Sequence, residues 1–289
     1  MINTKVLMSS ADYFSNDQPI NPYYHQEDVD VSGAQSEHQA IQAALERAGV
    51  EVVRVDAPST SQDGVYTANW ALVRGDTAVL ARLPGARKTE EAWAERQLQT
   101  LGYTVVAVPG DYKFSGQGDA LPCGDYLFCG STYRSDVEAQ TFAAETLGYQ
   151  RVQLRTEPQR DETGSEVINA SSGWADSFYY DIDLALSVIH GPENGQKGLI
   201  AYCPEAFTPE SRKLLERFDE VDKIIVSETE AREAFACNLV STGKTVIMSA
   251  HAPALRAELE SRGLAVYTPE VRELAKGGGY IRCTTLTIG

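Results

Sequence analysis

One unit recurs along this chain, and internal repetition restricts the fold more than any compositional figure does. The unit reads as strand, tight turn, strand, amphipathic helix, closing strand. In the clearest copy, strands at 70–73 and 77–82 flank Arg74-Gly75-Asp76, a helix covers about 90–100, and Leu101-Gly102-Tyr103 leads into a strand at 104–108. The next copy has Cys123-Gly124-Asp125 between strands at 119–121 and 126–130, a helix over about 135–146, Leu147-Gly148-Tyr149 and a strand at 151–154. A fourth has strands at 184–189 and 198–202 joined through Asn194-Gly195; Thr208-Pro209-Glu210 opens its helix, with proline where a first turn tolerates it. A fifth runs from Asn238-Leu239-Val240 through Ser241-Thr242-Gly243 and 245–248 to a helix over about 252–261 and a strand at 265–267. The remaining copy is split: 5–9 and 283–288 supply its hairpin, 37–48 its helix and 49–55 its closing strand.

A hairpin ahead of each helix does not belong to an open sheet wound from simple βαβ units. A first unit completed by the last residues closes a ring. The expected fold is α/β: a single domain over 1–289, a five-bladed propeller of ββαβ repeats around a pseudo-fivefold axis. Its repeats are placed at 1–62 plus 282–289, 63–112, 113–160, 178–230 and 231–275. Helix stripes agree, with Ile41, Ala44 and Leu45, and Leu214, Leu215 and Phe218, at three-to-four spacing.

In such a ring the connections between units meet at the hub. Segments 62–69, 114–119, 178–183 and 277–283 would bring there the Cys283 thiol, Asn69, and the carboxylates of Asp63, Asp119, Asp181 and Asp183. Gly277-Gly278-Gly279 precedes Cys283, and consecutive glycines suit close backbone approach. Taken alone, a glycine turn into a last strand with a buried cysteine would be ordinary; convergence makes Cys283 a candidate nucleophile. A net charge of −16 argues against nucleic acid and anionic membranes, which call for clustered Lys and Arg. No signal-type segment and no apolar stretch long enough to span a bilayer is present. Cys123, Cys129, Cys203, Cys237 and Cys283 are scattered without metal-type pairs, which fits reduced thiols in the cytoplasm. Neither a metal nor another cofactor is expected.

A thiol among carboxylates is a poor nucleophile on its own, because nearby negative charge raises its pKa. The arrangement makes sense when the substrate brings the positive charge. A guanidinium or amidinium held by Asp63, Asn69, Asp119 or Asp183 would be fixed by charge-assisted hydrogen bonds and would stabilise the Cys283 thiolate. Attack at the guanidine carbon would expel an amine and leave a thiouronium adduct for water. An acid must protonate the amine and a base must activate the water.

These residues, in this order, resemble the guanidino-group-modifying (pentein) superfamily, which includes arginine deiminase, dimethylarginine dimethylaminohydrolase, amidinotransferases and bacterial arginine dihydrolases. The resemblance covers nearly the whole chain. It rests on Asn21-Pro22-Tyr23, Tyr66-Thr67-Ala68-Asn69, Gly116-Gln117-Gly118-Asp119, Tyr133-Arg134-Ser135-Asp136, Asp183 before Ala185-Leu186, and the triple glycine before Cys283. It implies a cysteine-dependent hydrolase or amidinotransferase acting on an arginine-like small molecule, with Cys283 as nucleophile and Asn69 as a guanidinium-binding side chain. Asp183 matches the aspartate two residues after the family's catalytic histidine. Arg82 and Arg134 look like the pair that holds a substrate α-carboxylate, a task suited to the planar guanidinium fork; ordinary surface ion pairs are the competing reading. Asn21 and Gln117 complete the implied substrate-binding set.

Two positions depart from the family. Its histidine falls at Asp181, and its acidic partner at Ser115 or Gln117. His38 and His190 suit structural roles, and His25, near the Asn21 segment, is a distant candidate. Three consequences stay open: Asp181 does the acid–base work, the substrate carries a leaving group that needs less protonation, or the chain binds a guanidino compound or a protein partner without turnover. The exact substrate, hydrolysis versus transfer, and homo-oligomerisation also stay open.

Overall fold

The computed structural model describes residues 3–24, 28–130 and 133–289. The first elements are β1 (Lys5–Ser9), α1 (Val31–Arg47) and β2 (Glu51–Val55), then β3 (Ala71–Arg74), β4 (Thr77–Leu80), α2 (Thr89–Thr100) and β5 (Thr104–Ala107). They are followed by β6 (Ala120–Cys123), β7 (Tyr126–Cys129), α3 (Val137–Leu147) and β8 (Gln150–Gln153). Next come β9 (Leu186–His190), β10 (Gly198–Tyr202), α4 (Pro209–Arg217), β11 (Val221–Ile225) and α5 (Glu228–Glu233). The chain ends with β12 (Val240–Ser241), β13 (Thr245–Ile247), α6 (Pro253–Ser261), β14 (Ala265–Tyr267) and β15 (Leu286–Thr287).

These strands form five three-stranded sheets, ordered β15-β1-β2, β3-β4-β5, β6-β7-β8, β9-β10-β11 and β12-β13-β14. In each, the first pair is antiparallel and the second pair, joined through a helix, is parallel. The reason is local. Gly75 and Gly124 take positive φ (60° and 62°) as first residues of two-residue turns, where glycine gives the hairpin its matching twist. A parallel return needs a crossover long enough for a helix. Each helix then buries one stripe on its sheet: Ala34, His38, Ile41 and Leu45 on α1, Ala94 and Leu98 on α2.

β15 pairs antiparallel with β1, Val6 opposite Thr287 and Leu7 opposite Leu286, so the two ends of the chain share one sheet. First strands pack on one another around the ring, β15 on β3, β6 on β9 and β9 on β12. The expected five-bladed α/β propeller is the observed fold. Boundaries differ in places. α1 begins at Val31, earlier than the sequence suggests, because Asp30 caps it by accepting the Ser32 N–H. Cys283 does not open a strand; it sits in a turn in which Thr284 N–H bonds Tyr280 O and Thr285 N–H bonds Arg282 O, and only Leu286–Thr287 is extended into a ladder.

The connections leading into the first strands gather at one end of the ring. Residues 67–70 touch 116–118, which in turn touch 182–184. The Cys283 turn joins them through the Ala68 N–H bond to Cys283 O.

Candidate active site

Close approach at the hub depends on missing side chains. A Cβ at Gly118 would lie 2.4 Å from Asn69 Nδ2 and 2.7 Å from Asp181 Oδ2. A Cβ at Gly279 would meet the Tyr66 ring, and Gly278, at φ +80°, lies against Asn21. Asn21 Nδ2 donates to Gly277 O at 3.0 Å and the Tyr180 hydroxyl to Gly278 O at 2.8 Å. The triple glycine is therefore clamped from both sides, and it sets the Cys283 turn against the other connections.

Cys283 Sγ lies 3.6 Å from Asp183 Oδ2 and 3.2 Å from Asn238 Nδ2. Asn69 Nδ2 donates to Asp181 Oδ2 at 2.7 Å and to Ser115 Oγ at 2.9 Å. Asp119 Oδ1 accepts the Ile182 N–H at 3.1 Å, which fixes the connection carrying Asp181 and Asp183. Cys283 is 2% exposed, Asp183 1% and Asp181 0%. Asp181 Oδ1 and Asp183 Oδ1 are both buried without a hydrogen-bond partner. A small cleft, with about 30 Å³ open to water centres, adjoins Asp183 and Arg282 and is lined further by Asn3, Ser187 and Cys237.

Burial is the first cause of each shifted titration here, since a charge loses its hydration. It pushes the Cys283 thiol well above its ordinary value, and the Asp183 charge adds to that. It holds the Asp119 and Asp183 carboxyls well above the usual range, each reinforced by the charge of Asp181. Asp181 is also raised by burial, with the Arg134 guanidinium opposing.

A second cluster abuts the first. Arg87 donates to Asn69 Oδ1 at 2.7 Å and to the Tyr66 carbonyl, and pairs with Glu90 at 2.8 Å, both ends buried. Glu90 also accepts from Trp70 Nε1 and Ser61. Asp63 accepts from the Tyr24 hydroxyl at 2.7 Å; burial raises its pKa to about 6 against the pull of Arg87.

Of the side chains picked from sequence, Cys283, Asp181, Asp183, Asn69 and Asp119 come together, and Asp63 joins them through Arg87 and Asn69. Asn21 supports the triple glycine. Arg134 is buried, its guanidinium 4.1 Å from the Tyr180 ring centre and bonded to Ile20 O. Arg82 is not brought in: it is half-buried and bonds Val108 O, in a groove with Glu91 and Glu95 on the outer side of α2. Its backbone pairs with Phe114 in an antiparallel bridge. Gln117 holds the last strand rather than the thiol, accepting from Thr287 N–H and Arg282 and donating to Thr287 O. His38 is packed under α1 and His251 pairs with Glu270 at the surface, while His25 lies outside the described residues. Sequence reasoning missed Arg87 and Asn238. The Arg87–Glu90 spacing at the start of a helix, and the fifth inter-unit connection as counterpart of the other four, were the available signs. Among the described residues no cluster of His, Cys, Asp and Glu is arranged to hold a metal, and no helix is long and apolar enough to cross a membrane.

Five ββαβ sheets closed around a buried thiol, amides and carboxylates match the guanidino-group-modifying (pentein) superfamily, and the relatives and structural neighbours of the chain include arginine dihydrolases and a dimethylarginine dimethylaminohydrolase. It is 29% identical over 295 residues to the bifunctional arginine dihydrolase/ornithine cyclodeaminase ArgZ of Synechocystis sp., covering 98% of this chain and 37% of that protein. It is 29% identical over 283 residues to the N(G),N(G)-dimethylarginine dimethylaminohydrolase of Mycobacterium tuberculosis, covering 97% of this chain and 84% of that protein. The crystal structure of the ArgZ N-terminal domain covalently bound to a reaction intermediate superimposes with a TM-score of 0.84 at 27% identity, covering 99% of this chain and 97% of that one. The chain thus spans under two fifths of the length of the bifunctional relatives. No protein-family model matches the sequence.

Proposed function

We propose that this protein is a cysteine-dependent hydrolase of the guanidine or amidine group of an arginine-like small molecule. The observation that carries this reading is the pair of neighbouring buried carboxylates, Asp181 and Asp183, each with one oxygen lacking a partner, beside the Cys283 thiol. A buried carboxylate oxygen without a partner is costly. A guanidinium offers five N–H donors and one positive charge to answer it.

The charge of that ligand lowers the pKa of every acid around it, so the Cys283 proton passes to Asp183 or to solvent and the thiolate attacks the central carbon. As the carbon–nitrogen bond breaks, protonated Asp181 gives its proton to the departing amine. A water then loses a proton to the Asp181 carboxylate and adds to the thiouronium carbon; the carbon–sulfur bond breaks, the thiolate returns, and the remaining hydroxyl proton passes through solvent to the released amine, leaving the ureido carbonyl. One water is consumed per guanidinium converted to a ureido group and an ammonium. Asn69, anchored by Arg87, orients Asp181 and is a guanidine-binding group. Arg134 is a carboxylate-binding candidate. The site is buried, so surrounding side chains move to admit substrate.

Asp181 stands where the resemblance places a histidine, and Ser115 or Gln117 where it places the acidic partner, and this favours a second reading, ligand binding without turnover. Incubation with a panel of guanidino compounds, read by intact-mass spectrometry and product analysis, separates the two. A transient adduct that Cys283→Ser abolishes supports hydrolysis. A raised melting temperature with neither adduct nor product supports binding alone.

A further inference from the structure

Asn238 lies in the connection between α5 and β12, fully buried. Its neighbours fix the orientation of its amide. Oδ1 accepts the Cys283 backbone N–H at 3.1 Å, and an N–H can only donate. Nδ2 is therefore the atom that faces Cys283 Sγ at 3.2 Å and the Asp183 carbonyl at 3.5 Å. The turn that presents it is strained and held. Phe235 takes φ 52°, unusual for an aromatic residue, and its ring stacks on Tyr280 at 5.2 Å with an interplanar angle of 7°. Asn238 N–H then bonds Phe235 O at 2.9 Å.

We infer that Asn238 is a catalytic residue, an amide donor whose Nδ2 hydrogen bond sustains negative charge on Cys283 sulfur during attack and again when the sulfur is expelled. This rests on the reading of Cys283 as nucleophile. Among the described residues the titratable groups facing the thiol are Asp181, Asp183, Tyr66, Tyr180 and Arg282. Asp181 and Asp183 disfavour a thiolate, whereas the Tyr280 backbone and the Asn238 side chain favour it. A donor to the charged form counters desolvation, and among the described residues no imidazolium is in contact with the sulfur. The contact to the Cys283 N–H makes the same side chain hold the turn, so donation has to be separated from positioning.

The test is the pH profile of Cys283 alkylation by iodoacetamide, quantified on the Cys283 peptide by mass spectrometry, in the parent chain, Asn238→Asp and Asn238→Ala. The aspartate variant keeps an acceptor for the Cys283 N–H and removes the donor to sulfur but adds a carboxylate that itself raises the thiol, whereas the alanine variant removes the donor without adding charge. Both variants are expected to move the alkylation midpoint up by about one unit or more, about a tenfold loss of thiolate at fixed pH. Midpoints unchanged in folded variants overturn the proposal. Failure of both variants to fold assigns the amide to the turn and overturns it equally. Because alkylation needs no turnover, a shifted midpoint in a chain that processes no guanidine upholds the donor role while refuting the hydrolase reading.

Discussion

Asp181→Asn isolates proton transfer from shape. Asp181 Oδ2 accepts from Asn69 Nδ2 at 2.7 Å, and the introduced amide oxygen can accept the same bond, so the Asn69–Arg87 scaffold is retained. What disappears is a proton that can be given to the leaving amine and recovered from water. General acid–base catalysis contributes about 10²–10⁴-fold, so kcat should fall by at least ~10²-fold, about 3 kcal/mol of barrier. The same change removes a buried carboxyl whose folded pKa lies above its unfolded value. Between those two values the folded chain holds a proton that the unfolded chain has lost, so stability declines as pH rises through that window and levels off above the folded pKa. Asp181→Asn should flatten that decline. Steady-state release of amine or ammonia, with thermal melts across pH, measures both effects. A well-folded variant with parental kcat refutes Asp181 as the proton carrier.

Asp63→Asn should flatten a second part of the pH dependence: with its carboxyl raised from 3.8 to about 6, stability worth about 3 kcal/mol is lost between those values as pH rises, and melts at pH 4 and 7 that differ as much as in the parent would count against this. Arg87→Met leaves the buried Glu90 charge without its cation and should destabilise by about 3–5 kcal/mol; adding Glu90→Gln should recover part of that loss in denaturant titrations. Gly118→Ala should lower activity, because the new methyl lands on the buried Asn69 and Asp181 and forces them to shift; a parental kcat/KM would show that these two groups can yield without consequence.

The hairpin glycines, helix stripes and split first unit were readable locally, because turn chemistry and apolar periodicity act within a dozen residues. From them the five-bladed ring followed, and from the ring the meeting of Asn69, Asp119, Asp181, Asp183 and Cys283. Which arginine enters the hub was not readable. Arg82 and Arg87 are five residues apart, and only the packing separates them: Arg82 bonds Val108 O beside Glu91 and Glu95, while Arg87 is buried against Glu90 and bonded to Asn69. Asn238 was equally hidden, since its value lies in an amide facing a sulfur 45 residues away.

The sequence by itself determined the repeat, its closure and the chemical kinds of group at the hub, since each depends on short-range pattern. Tertiary structure alone decided which oxygen lacks a partner, which guanidinium anchors the amide and which side chain donates to the thiol. Those are matters of ångström-scale distance between segments remote in the chain, and hydrogen bonding and desolvation vary too steeply with distance for spacing along a sequence to specify them.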